Sequence, residues 1–194
     1  MIIALTGTPG TGKTTISKIL SKKLNFRYIS LTDIITPEII EYHDKVRKCY
    51  EIDVGKLRVI VKEKLQNNTI IEGHFSHLLK LSNIIIILRT DPNILKKRLK
   101  KRGYDDDKIK ENLEVEALDV CLIESLEYDS NVYEIDTSIK SKNVVGMDIE
   151  LILNGKGEEF KPGKISWSED FFKKYPPNKL KHKKKIRKKR KIYF

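Results

Sequence analysis

Short apolar runs alternate along the chain with longer stretches of helical periodicity. Residues 2–6 and 83–88 are apolar and rich in β-branched side chains, as expected of strands that are buried on both faces of a sheet. Weaker runs at 26–31, 69–72 and 132–135 predict three further strands. Strands that alternate with helices indicate a parallel sheet with helices on both faces. The pattern therefore predicts an α/β fold around a five-stranded parallel sheet.

The helical stretches separate these strands. We expect helices at 13–24, about 92–102, 111–128 and 144–153, and mixed helical patterns over 32–66. Pro37 lies near a predicted helix start, and Gly103 has the residue type that commonly follows a helix end. From Gly155 onward the pattern is polar and predicts an irregular extension over residues 154–178.

One motif joins the first predicted strand to the first predicted helix. Residues 7–14, Gly-Thr-Pro-Gly-Thr-Gly-Lys-Thr, match the phosphate-loop pattern G-x-x-x-x-G-K-[ST]. Glycines allow the positive φ angles that turn backbone amides toward anionic oxygens, and the free N–H groups of the helix that follows favour phosphate. The sequence therefore predicts a P-loop NTPase that binds a nucleoside triphosphate, ATP in particular, with magnesium.

Each predicted nucleotide contact follows from side-chain chemistry. Lys13 is expected to reach the β and γ phosphate oxygens, the Thr14 hydroxyl to ligate Mg²⁺, and the Thr15 hydroxyl to bind the α phosphate. The nucleotide-binding residues of the loop are thus predicted to be Gly10, Gly12, Lys13, Thr14 and Thr15. A guanine switch is not expected, because the nearest match to its Asn-Lys-x-Asp element, residues 178–181, lacks the acid and lies in the basic tail.

Further motifs appear in a fixed order after the loop. They are Tyr28-Ile29 with Asp33, Glu72-Gly73-His74, Leu88-Arg-Thr-Asp91, Arg98-Leu99, Arg102-Gly103-Tyr104 and Glu111-Asn112-x-x-x-Glu116. Together they resemble the adenylate kinase isoenzyme 6 family, whose eukaryotic member is the coilin-interacting nuclear ATPase. The resemblance covers residues 1–153, and residues 157–167 resemble an extension of its archaeal members. The chain is thus identified as similar to an archaeal-type member.

The resemblance implies both an activity and partners. Members of this family transfer a phosphoryl group between ATP and a nucleoside monophosphate such as AMP, and they also hydrolyse ATP. They assist maturation of the small ribosomal subunit by transiently binding a ribosomal protein of its platform. On this basis residues 1–153 form a nucleoside monophosphate kinase-like domain, with the acceptor segment at about 30–53 and the lid at about 101–111.

Two arginines precede the predicted lid. Arg98 and Arg102 are four residues apart and so share a helix face. A guanidinium at this place can neutralise charge on the transferred phosphoryl group, and the resemblance favours Arg102 as a catalytic and nucleotide-binding residue. The neighbouring lysines leave a solvated basic helix open as the alternative. Residues 105–110 are expected to be a mobile stretch of the lid.

Glu72 and His74 follow a predicted strand beside the loop. P-loop enzymes place a magnesium-binding acid at such a strand end, so Glu72 is a candidate metal ligand. The family more often has an aspartate there. His74 matches a family histidine that is implicated in hydrolysis, which makes it a candidate catalytic residue. A carboxylate without a ligand and a structural histidine are the alternatives.

Asp33 lies where the acceptor segment begins and is a candidate substrate-binding residue. Family members often carry an arginine three residues later, which holds the acceptor phosphate. Here Thr36 occupies that position, and Arg47 and Arg58 are candidate replacements. This departure favours an alternative function, an ATP-driven ribosome assembly factor whose kinase activity is incidental.

The net charge of +12 is concentrated at one end of the chain. Residues 179–194 contain ten Lys or Arg and no acid, which leaves the first 178 residues with 29 basic and 27 acidic side chains, a net charge of +2. Such a polycationic tail cannot form a core and is suited to binding the phosphates of a nucleic acid in any sequence. The family resemblance implies that this nucleic acid is ribosomal RNA. Simple disorder or a solubility role is the alternative.

Three further patterns predict the cellular location. The longest apolar run, 84–88, is much shorter than the roughly 20 residues of a membrane span. Residues 1–5 lack a basic segment and indicate a first strand rather than a signal peptide. Cys49 and Cys121 have no metal-type spacing, which is typical of reduced thiols in the cytoplasm.

Overall fold

A computed structural model describes residues 1–44, 49–128, 131–176 and 192–193. The strands are β1 (Ile2–Thr6), β2 (Arg27–Ser30), β3 (Ile40–Asp44), β4 (Cys49–Ile52), β5 (Thr69–Glu72), β6 (Ile84–Arg89), β7 (Asn131–Asp136) and β8 (Ile192–Tyr193). The helices are α1 (Lys13–Leu24), α2 (Leu31–Ile34), α3 (Val54–Lys64), α4 (Pro92–Lys101), α5 (Asp106–Ala117), α6 (Val120–Leu126), α7 (Lys142–Leu153) and α8 (Ser168–Lys174). Short 3₁₀ turns lie at Pro37–Ile39, Ser76–Leu79 and Glu158–Phe160.

Five parallel strands form the main sheet in the order β2-β5-β1-β6-β7. Side chains alternate along β1, so Ile3 and Leu5 pack with α1 and α7 on one face, while Ala4 packs with α6 on the other. The aliphatic side chains of α3 contact β5 on that second face. The structure confirms the predicted α/β fold, a five-stranded parallel sheet with helices on both faces.

The strand order places the phosphate loop at a distinctive position. β1 is central, and the chain passes from it toward β5 and β2 on one side and toward β6 and β7 on the other. Ligands of open α/β sheets bind beyond the carboxyl ends of the strands at such a switch point. Residues 7–12 leave β1 at that end and lead into α1.

The acceptor segment differs from the mixed helical pattern expected over 32–66. Only α2, the turn at Pro37–Ile39 and α3 are helical, and β3 and β4 form an antiparallel hairpin. β8 pairs with the other edge of β4. The side chains of Glu41, Tyr42 and His43 are exposed. Because backbone pairing rather than apolar burial holds β3 in place, its sequence carries no clear strand periodicity.

The helix predicted over 111–128 is wrong in its extent. α5 begins at Asp106, where the Asp105 side chain accepts a hydrogen bond from the backbone N–H of Lys108. The chain then breaks at Asp119, which has a left-handed φ of 55°, and restarts as α6. Residues 106–110 of the predicted lid are therefore the first turns of α5.

The extension that was expected to be irregular is partly helical. Phe160, in its 3₁₀ turn, packs into the core formed by β1, α1 and α7. Phe171 of α8 packs against the apolar sides of α4 and α5. Buried aromatic side chains therefore order a segment whose overall polarity predicted a loop. Residues 177–178 and all of the predicted tail except 192–193 lie outside the described residues.

None of the helices in the described ranges combines the length and the apolar character that a membrane crossing requires.

Candidate active site

The phosphate loop has the backbone geometry that its glycines predicted. Gly7, Gly10 and Gly12 have φ angles of 133°, 96° and 101°, which side-chain-bearing residues rarely adopt. A Cβ atom at Gly7 would lie 2.4 Å from the carbonyl oxygen of Leu88. Gly12 is the N-cap of α1, and no side chain caps the first N–H groups of that helix. These N–H groups are therefore available to an anion.

Lys13 lies within this loop rather than in solvent. Its ammonium group donates hydrogen bonds to the carbonyl oxygens of Gly7 at 2.8 Å and Thr8 at 3.1 Å, and the side chain is 8% exposed. Burial lowers the pKa of Lys13, whereas the negative charge of Glu72 opposes that decrease. The structure thus holds a cation at the centre of the loop. Thr14 and Thr15 follow on the first turn of α1, and both are exposed.

Glu72 ends β5 next to β1, opposite Leu5. It is 5% exposed and accepts a hydrogen bond from the Tyr28 hydroxyl at 3.1 Å. Burial and the nearby Glu72 carboxylate raise the pKa of Tyr28 to about 12, so its hydroxyl remains a donor at neutral pH. Sequence reasoning did not identify Tyr28 as a partner of Glu72. Carboxylate and hydroxyl oxygens are ligands that Mg²⁺ prefers, so Glu72 and Thr14 have suitable chemistry.

His74 contacts the same loop. Its Nδ1 lies 3.3 Å from the carbonyl oxygen of Gly7. Burial and the positive charge of Lys13 lower the pKa of His74 to about 4, so the ring is neutral at pH 7. Since a carbonyl only accepts, Nδ1 carries the proton and Nε2 retains a lone pair. The histidine is therefore a candidate proton acceptor beside the loop.

A second histidine on the turn after β5 is structural. The ring of His77 is 1% exposed, and its Nε2 lies 3.1 Å from a carboxylate oxygen of Glu124. Its Nδ1 lies 2.8 Å from the Thr6 hydroxyl oxygen, and that hydroxyl donates to the backbone carbonyl oxygen of His74 at 3.0 Å. Both ring nitrogens are thus occupied by protein partners at the end of β1.

The two arginines of α4 differ in their surroundings. Arg98 donates to the carbonyl oxygen of Thr137 at 2.7 Å and to that of Gly10 at 3.4 Å, so it joins the loop to the segment after β7. Arg102 follows α4 and is exposed, yet its charge contributes to the lowered pKa of Lys13. Its guanidinium therefore lies within electrostatic reach of Lys13 in the phosphate loop.

The candidate residues of the acceptor segment differ in their surroundings. Asp33 on α2 is exposed, and its charge contributes to the raised pKa of Tyr28, which places it on the Glu72 side of the loop. Thr36 donates to the Glu38 carboxylate at 2.7 Å. Arg58 is exposed on α3, and Arg47 lies outside the described residues.

A buried charge cluster supports the loop from behind, and sequence reasoning missed it. Glu116 on α5 is 2% exposed and accepts a hydrogen bond from the Thr8 hydroxyl. The same carboxylate accepts from Arg89 Nε at 2.9 Å and from the backbone N–H of Thr90 at 3.0 Å. Arg89 also pairs with Asp119 and with Glu134, the latter at 3.0 Å. The loop is therefore anchored to α5 and to β7 through one guanidinium.

Residues 157–167, which we call the strap, complete this cluster. The second carboxylate oxygen of Glu134 accepts from the backbone N–H groups of Gly163, Lys164 and Ile165 at 2.9, 3.0 and 3.2 Å. The Trp167 ring lies 5.0 Å from the Arg89 guanidinium carbon. The sequence contained a signal for this arrangement, since Arg89 directly follows an apolar strand and a strand end of that kind is buried.

The fold itself is shared with solved kinases. Shikimate kinase from Acinetobacter baumannii matches with a TM-score of 0.57 and 15% identity over 81% of this chain and 94% of its own. Deoxyadenosine kinase from M. mycoides matches with a TM-score of 0.51 and 21% identity over 80% of this chain and 99% of its own. This likeness shows that the chain has the fold of these kinases, with the phosphate loop at the end of β1.

Comparisons with other protein sequences identify the family to which the chain belongs. The family profile described as AAA domain matches residues 3–119. Two archaeal proteins, each named "Putative adenylate kinase", are 42% identical to this chain. The one from Thermococcus kodakarensis aligns over 172 residues, 87% of this chain and 94% of its own. The one from Methanocaldococcus jannaschii aligns over 176 residues, which are 89% of this chain and 96% of its own. The chain belongs to this archaeal adenylate kinase-like family, which confirms the resemblance seen in its motifs.

Proposed function

We propose that this protein is a magnesium-dependent nucleoside monophosphate kinase of the adenylate kinase type, with broad acceptor specificity and an ATPase activity. The observation that carries the proposal is the buried ammonium of Lys13, held between the loop carbonyls of Gly7 and Thr8 beside Glu72. A fixed cation among inward-facing amides stabilises charge on a transferred phosphoryl group. The names of the archaeal relatives agree with this activity.

Each candidate residue has a place in this reaction. Gly10, Gly12, Lys13 and Thr15 bind the ATP phosphates, Arg102 moves onto the transferred group from the lid at about 101–111, and Asp33 contacts the acceptor in the segment at about 30–53. Support comes from the positive φ angles of the glycines and from the electrostatic reach of Arg102.

Magnesium would be held by the Thr14 hydroxyl and, directly or through water, by Glu72. When bound, the ion neutralises charge on the β and γ phosphate oxygens. Glu72 is kept in place for this role by the Tyr28 hydroxyl at 3.1 Å. His74, neutral and with a free Nε2, accepts a proton from an attacking water in the ATPase reaction.

Activity measurements test the kinase directly. ADP formation from ATP and Mg²⁺ is measured with and without AMP, and AMP is expected to stimulate it. Lys13→Ala should lower turnover on the order of 10²-fold, because an electrostatic donor to the transition state is removed. Lys18→Ala, an exposed position on the same helix, serves as the control. Stimulation by no nucleoside monophosphate would rule out the kinase as the main activity.

A second candidate function is an ATP-driven factor for small ribosomal subunit maturation in which the kinase activity is incidental. The observation that favours it is Thr36, bonded to Glu38 where the family often has an arginine for the acceptor phosphate. In this function a ribosomal protein of the subunit platform is the protein partner. ATP turnover that a platform protein stimulates, and that AMP leaves unchanged, would favour this second function.

Ribosomal RNA is the nucleic-acid partner that we propose for residues 179–194. Ten Lys or Arg without an acid attract phosphates in any sequence context.

We propose a cytoplasmic location for the protein, since its cysteines are free of metal-type spacing and Cys121 is a buried free thiol. Localisation of the tagged protein by microscopy tests that assignment.

A further inference from the structure

A basic groove lies on the outer side of α4, away from the phosphate loop. It has a volume of about 460 Å³, and its lining residues are Asn93, Lys96, Lys97, Lys100, Lys174 and Tyr175. Lys97 and Lys100 are exposed. The groove therefore combines several ammonium groups with an aromatic ring.

Helical geometry explains why α4 is basic on two sides. At about 100° per residue, Lys96 and Lys100 lie nearly opposite Arg98. Arg98 is used by the loop, where it donates to the Gly10 carbonyl, and Leu95 and Leu99 fill the core between α4 and α5. Of the outward lysines, Lys96 lies in the middle of α4 and donates to the Tyr175 hydroxyl. Lys100 lies in the last turn, where the helix dipole favours positive charge.

The positive charge of the groove is not neutralised by the part of the chain that the structure describes. None of the described carboxylates forms an ion pair with Lys97, Lys100 or Lys174. Lys174 instead donates to the side-chain oxygen of Asn93 at 2.6 Å. Lys96 donates to the Tyr175 hydroxyl at 3.0 Å and is within electrostatic reach of Asp106. The surface is therefore complementary to a polyanion.

The groove also adjoins the polycationic segment of the sequence. Tyr175 follows α8 directly, and the ten basic residues of the tail begin four positions later at Lys179. In sequence, the groove residues Lys174 and Tyr175 therefore come just before the basic residues of the tail. Tyr175 is half-buried: its ring packs against Phe171 at 5.1 Å, and the Lys96 and Lys174 ammonium groups lie 5.3 and 5.8 Å from its centroid. An anion that draws these lysines onto its phosphates and also carries bases can contact the ring, and base-on-aromatic contacts stabilise single strands without sequence preference.

We propose that the groove between α4 and the end of α8 binds single-stranded RNA, with Lys97, Lys100 and Lys174 on the phosphates and Tyr175 against a base. The groove is thus a second RNA-binding site, in the folded part of the chain, besides the one proposed for residues 179–194. The kinase proposal is tested separately by ATP turnover, so failure of one leaves the other intact.

Binding of a fluorescein-labelled oligouridylate to the full chain tests the proposal, measured by anisotropy between about 50 and 200 mM salt. The double variant Lys97→Ala/Lys100→Ala is compared with Lys18→Ala/Lys22→Ala, a pair of exposed lysines on α1. The groove variant should bind about tenfold more weakly, and the slope of log K against log salt should fall by about 1.4, since each single-strand phosphate contact contributes about 0.7. The control pair should bind as wild type.

Ultraviolet crosslinking of the wild-type complex gives a readout that does not depend on a variant. An adduct on the peptide that contains Tyr175 is expected. The proposal is overturned if the groove variant keeps the wild-type affinity and slope, since the tail alone would then hold the RNA. It is equally overturned if both lysine pairs weaken binding alike, or if crosslinks map only to residues 179–194.

Discussion

At the scale of single residues, burial sets the protonation state of the groups around the loop. His74 and Lys13 both have lowered pKa values, because desolvation disfavours their charged forms. Each also contacts the carbonyl oxygen of Gly7. A neutral imidazole next to a retained ammonium is an arrangement in which one group accepts a proton and the other stabilises negative charge.

The lowered pKa of His74 predicts how stability depends on pH. The folded protein protonates this ring only near pH 4, whereas the unfolded chain does so near 6.5. The unfolded state therefore binds more protons in that window, and stability falls as the pH decreases from 6.5 toward 4. In His74→Asn this contribution is absent, so its denaturant midpoint should fall less over the same window. Equal slopes for both proteins would contradict the prediction.

Tyr28 is expected to act through Glu72. Tyr28→Phe removes the hydroxyl that donates to the carboxylate at 3.1 Å. The apparent affinity for Mg²⁺ in the ATP reaction should fall about tenfold, because the partner that orients a metal-binding group is lost. Magnesium titration of turnover measures this, with Tyr42→Phe at an exposed position of the hairpin as the control. An unchanged magnesium dependence would remove Tyr28 from the site.

Several residues of the site were predictable because their chemistry is local. Gly10, Gly12 and Lys13 are specified by a contiguous motif whose geometry the structure reproduces. Tyr28 and Glu116 were not assigned roles, because their partners, Glu72 and Thr8, are distant in sequence. Spacing along a chain does not report such pairings, which arise only when the sheet brings strand ends together.

At the scale of elements, all five strands of the main sheet were predicted, whereas the β3–β4 hairpin was not. β1 and β6 are buried on both faces and have continuous apolar sequences, and the other three strands were recognised from weaker apolar runs. The β3–β4 hairpin is mostly exposed, so its sequence resembles a loop or a helix surface. The break between α5 and α6 was not predicted. Asp119 has a left-handed backbone there, and its side chain pairs with Arg89, a contact that the local sequence does not reveal.

The buried cluster behind the loop gives a prediction for α5. Glu116→Ala leaves Arg89 and the Thr8 hydroxyl without a shared acceptor, and removing one partner of a buried ion pair costs about 3–5 kcal/mol of unfolding free energy. ATP affinity should fall as well, since Thr8 belongs to the loop. Denaturant unfolding and nucleotide titration measure the two effects.

Glu111→Ala on the same helix is the matched control. Glu111 is 3.6 Å from Lys108 at the surface, and such exposed pairs contribute only about 0–1 kcal/mol. If the two variants lost equal stability, the buried cluster would not be the support of the loop that its hydrogen bonds indicate.

At the scale of the whole molecule, the main sheet and most of the net positive charge lie in different parts of the chain. The first 178 residues carry a net charge of +2 and contain the main sheet, whereas the final segment carries ten basic side chains. β8 is the described part of that segment, and it pairs with β4 outside the main sheet. Nucleotide binding and polyanion binding are therefore expected to be separable functions.

Removal of residues 179–194 tests this separation. ATP affinity should stay within about twofold of wild type, because the phosphate loop and its supports lie in the remaining chain. RNA affinity should fall, and its salt slope should decrease by up to about 7, since ten cations contribute about 0.7 each on a single strand. The truncated protein is compared with the full chain by anisotropy and nucleotide titration. An unchanged salt slope would exclude the tail as an RNA-binding segment.

The strap also determines when the site can become stable during synthesis. The phosphate loop is synthesised early, but the buried charged groups behind it obtain all of their partners only much later. Glu134 gains its three backbone donors only when residues 163–165 have been made, and Arg89 gains its aromatic neighbour only at Trp167. Domains fold as units while the chain is extended from its N-terminus. The first functional element to be translated is therefore among the last to be stabilised, which delays a competent site until the protein is nearly whole.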